Sequence, residues 1–357
     1  MNDQFPAMET SNQYFADIAS QPHAIKTLRG AVERQRMASA YLFEGPSGVG
    51  KALAAKAFAK TAMSAGLSEP ARIELARRID ASAHPDLRFF APREEGNHNL
   101  PVEVVREQIL PYVQFAPFEA AHAFVIFPDA DVSFPEQHPE AANAMLKTLE
   151  EPRPSVHFVL LTARPERLLQ TIRSRCQRVR FQRLDDVFLD GLLEARGVPE
   201  STRRVAVALA DGRADKALAL STVREDVSLA DSLFELALRV DVVAESGRPG
   251  AVVSMAEELS RSTDLDGVIE ALTAYYRDVA RAASGLPDEA LAFRHHAARV
   301  RARGEAIGAS QSADAVMGLR ELEEILRANA NKDLAIADWL FSIGREPMAL
   351  RARRRAR

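Results

Sequence analysis

The chain has 357 residues, 47% of them apolar and 27% charged, with a formal net charge of -4. That length suits two or three domains with full hydrophobic cores, and the slight acidity gives no overall attraction to nucleic acid. The single cysteine, Cys176, excludes an intrachain disulfide and any zinc site built on paired cysteines.

Residues 1–12 are polar and read as loose, with no apolar run of the signal-peptide kind. No apolar stretch is long enough to cross a bilayer, so no membrane contact is expected and a cytoplasmic chain is the default. Residues 22–36 set Ile25, Leu28, Ala31 and Val32 at helical spacing. The apolar run AYLFE (40–44) stops at Gly45 and predicts a buried strand. GPSGVGK (45–51) follows, and ALAAKAFAKTAM (52–63) predicts an alanine-rich helix. Strand, glycine loop and helix form the context of a phosphate-binding loop, G-x-x-x-x-G-K. Gly45, Gly48 and Gly50 let backbone N–H groups turn inward around phosphate oxygens, and Lys51 adds a full charge. The motif then asks for Ser or Thr as a magnesium ligand, and the chain has Ala52.

Residues 70–81 predict a helix, DLRFF (86–90) a second strand and 92–101 a loop. VEVVREQILPYV (102–113) predicts a helix that ends at Pro111. AFVIF (123–127) is the third strand. An active ATPase of this type ends that strand with Asp-Glu, the Asp holding magnesium and the Glu orienting the attacking water. Here the pair is Pro128-Asp129. Proline offers no side-chain oxygen, and Asp129 has a shorter arm than glutamate. Ala52 and Pro128 together remove both protein contacts to the metal, so an inactive site is expected. Asp129 and Asp131 read equally well as a solvated acidic loop. PEAANAMLKTLEE (139–151) predicts a helix stopped by Pro152, VHFVLLTA (156–163) a buried strand, and QRVRF (177–181) an edge-type strand. Strands separated by helices predict a mainly parallel α/β sheet over about residues 15–182.

Beyond residue 184 the patterns turn helical, at 205–221, 228–243, 252–261, 265–283 and 315–329. Gly247, Pro249 and Gly250 interrupt them, and so do Gly285 and Pro287. The expected organisation is an α/β P-loop domain (1–183), a small helical lid domain (184–224), a helical collar domain (225–345) and a basic tail (346–357). The tail ends RARRRAR. It reads either as a contact to DNA phosphates or as a disordered solubilising segment.

The block NAMLKTLEEPRPSVHFVLLTARPERLLQTIRSRCQRVRF (143–181) resembles the clamp-loader branch of the AAA+ ATPases. The resemblance lies in LKTLEEP (146–152), VLLT (159–162) and Ser174-Arg175-Cys176. More narrowly, the chain is similar to the delta-prime family of bacterial DNA polymerase III clamp loaders. FADIASQPHAIKTLRGAV (15–32), AYLFEGPSGVGK (40–51), HPDL (84–87) and NANKDLAIADWL (329–340) support this. The resemblance implies an AAA+ domain, a lid and an oligomerising collar. It also implies hetero-oligomeric partners: gamma or tau motor subunits, the delta subunit, the sliding clamp and, through the assembly, primed DNA. Delta-prime chains are described as having a defective site of their own. In this family the Ser-Arg-Cys arginine is a finger for the neighbouring subunit's ATP, which gives Arg175 that role in trans.

In GRADKAL (212–218), Asp215 stands where motor subunits place a nucleotide-sensing arginine, with Arg213 close by. The family's four-cysteine zinc module has no counterpart, since 62–87 contains no cysteine, and no zinc is expected. Two other readings stay open. The chain is an active motor ATPase, as the Gly45–Lys51 spacing allows, or a module that holds ATP or ADP without hydrolysis, as Lys51 allows. Plainer readings also stand. Arg175 is one of several solvated charges with Arg173, Arg178 and Arg180; Cys176 is a small buried apolar residue; Glu150 and Glu151 are a helix end; His84 is a turn residue.

Overall fold

The computed structural model describes residues 14–18, 20–92, 99–151, 153–221, 229–262, 264–327 and 331–344. The basic tail, Pro152 and most of the predicted loop 92–101 lie outside the described residues. The described chain divides into two compact units. The described residues up to 188, with 212–215, form one, and those of 189–211 and from 216 onward form the other.

The first unit is built on five strands: β1 (Ala40–Glu44), β2 (Leu87–Phe89), β3 (Ala123–Phe127), β4 (Val156–Thr162) and β5 (Gln177–Arg180). Their order is β2-β3-β4-β1-β5, and all four pairings are parallel. Every residue of β1, β3 and β4 is buried. Continuous apolar runs of this kind belong to strands covered on both faces. β5 is an edge strand, and only Val179 of its four residues is buried. Glu44 is in register with Thr162 on one side and Arg180 on the other. Because the strands are parallel, the segments after β1, β3 and β4 all emerge at one edge of the sheet, where ligands bind in open α/β sheets.

The helix Lys51–Met63 buries Ala54, Ala55, Ala57, Phe58 and Ala59. Phe58 makes edge contacts with Tyr41 of β1 at 5.0 Å and with Phe124 of β3 at 5.4 Å. The small alanines let the helix lie close to the strands while one aromatic fills the gap. HPDL is a structural staple. The buried Asp86 carboxylate accepts the backbone N–H groups of Phe118, Glu119 and Ala120 at 2.6–2.9 Å. His84 Nδ1 accepts the N–H of Asp86 at 3.1 Å, which makes it the turn residue of the plainer reading.

One helix end differs from expectation. The helix predicted to end at Pro111 runs on as Val102–Val104, a π-helical stretch Val105–Ile109, and Leu110–Gln114. The wide π turn ends two residues before the proline. It shifts the hydrogen-bond register where Pro111 supplies no N–H and where its ring presses on the preceding turn.

The second unit is helical in its described residues, with Glu200–Ala210, Leu229–Ser246, Pro249–Ser260, Leu265–Ala283, Ala297–Arg327 and Lys332–Gly344. The pattern 205–221 is two helices, because Asp211 and Gly212 both take positive φ between them. The long helix Ala297–Arg327 is kinked at Gly308, which has φ 74° and ψ 169°. In its core the buried Asp241 accepts the hydroxyls of Tyr275 and Tyr276 at 3.1 and 2.8 Å and pairs with Arg303 at 2.7 Å. A buried carboxylate with three donors is the satisfied form of an otherwise costly group.

Candidate functional site

The loop 45–51 leaves the carboxyl end of β1 with Gly45, Gly48 and Gly50 at φ 151°, 69° and 95°. Gly45 N–H donates to the carbonyl of Thr162 at 3.2 Å, which fixes the loop to β4. A side chain on Gly45 would collide with the backbone of Phe181. The loop is also held from the N-terminal side. Buried Gln21 donates to the carbonyls of Gln182 at 2.7 Å and Val49 at 3.4 Å, and it accepts the N–H of Gln182 at 3.0 Å. Gln21 lies in a segment quoted above only for its resemblance; a lone polar residue before a proline gives no signal of such a contact.

Lys51 folds back on its own loop. Its ammonium donates to the carbonyls of Gly45 at 2.6 Å and Pro46 at 2.5 Å. Burial pulls its pKa down to about 8, opposed first by Asp131, then by Asp129 and Asp215. Three carboxylates therefore act on this one lysine. Asp131 is buried, accepts the Thr162 hydroxyl at 2.6 Å and pairs with Arg164 at 3.3 Å. The reading of Asp131 as part of a solvated acidic loop is thus incorrect; its neighbours on β4 consume it. Asp129, one residue after Pro128, is exposed, as is Ala52.

Asp215 reaches the loop directly. Ala214 N–H donates to the carbonyl of Gly48 at 2.8 Å, and a Cβ on Gly48 would run into the Asp215 carboxylate. Gly48 is needed twice over, for its positive φ and for this close approach. Arg213 Nη2 pairs with Asp215 at 3.1 Å. The departure from the sensing-arginine pattern is therefore in contact with the phosphate loop.

Three glycines at positive φ give the loop the turn of a phosphate cradle, and three carboxylates act on its lysine. Ala52 and Pro128 stand at the positions where the motif places its hydroxyl and carboxylate metal ligands, and a carboxylate lies against the middle glycine. Among the described residues no group of three or more His, Cys, Asp or Glu side chains is placed to hold a metal ion.

The second feature lies between β4 and β5. Arg175 follows the short helix Gln170–Arg173, and its N–H donates to Ile172 at 3.0 Å. Its guanidinium donates to Glu150 Oε1, through Nε at 2.9 Å and also through Nη2, and to the carbonyl of Thr171 at 2.7 Å. The side chain remains 30% exposed. Glu150 is the last residue of the helix Glu140–Glu150, so this carboxylate does more than end a helix. Two of the neighbouring arginines are paired elsewhere. Arg178 and Arg180 both donate to the buried Glu44, at 2.6 and 2.9 Å. Cys176 is half-buried against the core, not fully buried, and burial pushes its thiol up to about 12, away from the range of a nucleophile.

Residues 20–185 match the family model described as DNA polymerase III, delta subunit. The chain is 33% identical over 189 residues to DNA polymerase III subunit delta' of Bacillus subtilis, covering 52% of this chain and 55% of that protein. It is 30% identical over 290 residues to DNA polymerase III subunit tau of the same organism, covering 75% of this chain and 50% of that one. The chain spans about half the length of these curated relatives. A solved gamma-subunit-related protein from Thermotoga maritima overlays with a TM-score of 0.45 at 17% identity, covering 89% of this chain and 98% of that one. The five-stranded parallel sheet with the glycine loop after β1 is an α/β fold of the phosphate-loop kind. Over the matched part the chain is similar to DNA polymerase III delta' and tau subunits.

Proposed function

We propose that the chain acts as a non-motor subunit of a clamp loader and lends Arg175 to the ATP site of an adjacent motor subunit. The observation that carries this reading is the pairing of two opposite sites in one unit. The chain's own loop has lost both metal contacts, at Ala52 and Pro128, while Arg175 is part-exposed on the segment between β4 and the edge strand β5. A finger needs no working site in its own subunit. A planar guanidinium that never deprotonates suits the spread charge of a transferring phosphoryl group.

On this reading the partners are gamma- or tau-like motor subunits and a delta subunit, joined through a collar at about 225–345, with 184–224 as a lid. The sliding clamp and primed DNA are reached through the assembly, in the cytoplasm. The test is reconstitution with motor subunits and assay of DNA-stimulated ATPase. Arg175→Ala should leave assembly intact and lower the rate sharply; unchanged turnover in a properly assembled complex removes Arg175 from the mechanism. The second reading, a motor ATPase in its own right, has the Gly45–Lys51 spacing in its favour. Substantial hydrolysis by the isolated chain with ATP and magnesium, abolished by Lys51→Ala, would establish it instead.

A further inference from the structure

An intact phosphate cradle with no metal contacts poses a physical question: does the loop still take a polyphosphate? The answer turns on charge. A nucleoside triphosphate brings several negative charges, and in working sites a magnesium ion and a lysine offset them. Here the metal ligands are gone. Lys51 is turned onto the carbonyls of Gly45 and Pro46, and Asp129, Asp131 and Asp215 all act on it. Asp131 is structurally committed to Thr162 and Arg164, and Asp129 is exposed. Of the three, Asp215 is the one whose carboxylate lies against Gly48, beside the Ala214 N–H to Gly48 carbonyl bond at 2.8 Å and paired with Arg213 at 3.1 Å.

We propose that Asp215 guards the phosphate loop: its carboxylate against Gly48 excludes nucleoside triphosphates from a cradle that is otherwise shaped to accept them. A carboxylate this close to the loop repels an incoming polyphosphate, an effect damped by its own half exposure to water and by its Arg213 partner. The same carboxylate closes the space above Gly48, which only a residue without a side chain leaves open to it. The loop is therefore held closed from both sides, by its own lysine within and by Asp215 across the middle glycine. This inference concerns the isolated chain and does not depend on the role of Arg175.

The experiment is equilibrium titration of the full chain with a fluorescent ATP analogue, with and without magnesium. Wild type is compared with Asp215→Asn, Asp215→Ala and the double variant Asp215→Asn, Lys51→Ala. Asp215→Asn keeps the size of the side chain and removes only the charge, so it stays informative if the alanine variant folds poorly. Thermal melts establish that each variant is folded. The expected result is affinity at least tenfold tighter in Asp215→Asn than in wild type, lost again when Lys51 is removed. Wild type and a folded Asp215→Asn titrating within threefold of each other overturns the proposal, whether both bind or neither does. Tighter binding that survives loss of Lys51 overturns it too, because the ligand would then be outside the loop.

Discussion

The loop 45–51 and the segment 170–176 are both built around one basic side chain, and they treat it in opposite ways. Lys51 is part-buried and spends its ammonium on two carbonyls of its own loop, among three carboxylates. Arg175 is part-exposed and is held by one carboxylate at a helix end and one carbonyl. A cation satisfied from within has little to offer a ligand. A cation held lightly at the surface can exchange its partner for a phosphate at small cost. On the proposed reading, this contrast is how one unit keeps the shape of an ATP site while directing its chemistry outward.

The largest expected effect tests the outward side. In a reconstituted complex, Arg175→Ala should lower DNA-stimulated turnover about 10³-fold or more, the range in which trans arginines act. Arg175→Lys should recover little of it, because an ammonium cannot present the planar fork. Full activity in the lysine variant would reduce Arg175 to a point charge and weaken the contrast with Lys51.

Next in size is Asp131, on which the inward side rests. Asp131→Ala leaves the buried Thr162 hydroxyl and the Arg164 guanidinium without their partner. The expected loss is about 2–3 kcal/mol of unfolding free energy in urea titrations. A loss below about 0.5 kcal/mol would restore the reading of Asp131 as a solvated charge. That residue also marks where the sequence stopped being legible. The strands could be read from their apolar runs, and the loop from glycine spacing, because both are local signals. The burial of Asp131 depends on Thr162 and Arg164, more than thirty residues away on β4 and its exit. Asp215 against Gly48 is likewise a contact across most of the unit. Its only trace in sequence is an acid where the family pattern has an arginine. The helix across Pro111 was misjudged for another reason. A proline normally stops a helix, and nothing local announces the π turn that accommodates it.

Lys51 itself gives a smaller, pH-dependent effect. Its folded pKa of about 8 lies below the ordinary 10.5. Between those values the unfolded chain binds more protons than the folded one, so stability rises with pH across that window. Below about pH 8 the charged lysine carries its full penalty. Lys51→Met should therefore stabilise the chain at pH 7 by about 1 kcal/mol, after the loss of two hydrogen bonds is set against relief of the buried charge. The gain should shrink towards pH 10. A gain that stays flat from pH 7 to 10 would mean that Lys51 is not held at a cost, and the inward half of the contrast would fall.

The smallest effect on stability belongs to Glu150, and it separates holding from hiding. Its pair with Arg175 is part-exposed, 30% on the arginine side and 49% on the glutamate side. Pairs of this kind contribute about 0–1 kcal/mol. Glu150→Gln should thus leave the urea midpoint of the isolated chain nearly unchanged. The amide can still accept from the guanidinium through its oxygen, while the charge that competes with a phosphate is gone. If Glu150 only sheathes Arg175, the variant complex should turn over ATP at least as fast as wild type and reach half-maximal rate at lower ATP. If Glu150 orients Arg175 for its target, Glu150→Ala should slow turnover while Glu150→Gln preserves it, because only the glutamine keeps an acceptor in place. Equal slowing in both variants points to the charge itself. A larger shift of the midpoint, above about 1 kcal/mol, would show that this arginine is held as firmly as Lys51, and the two basic side chains would then differ in position but not in kind.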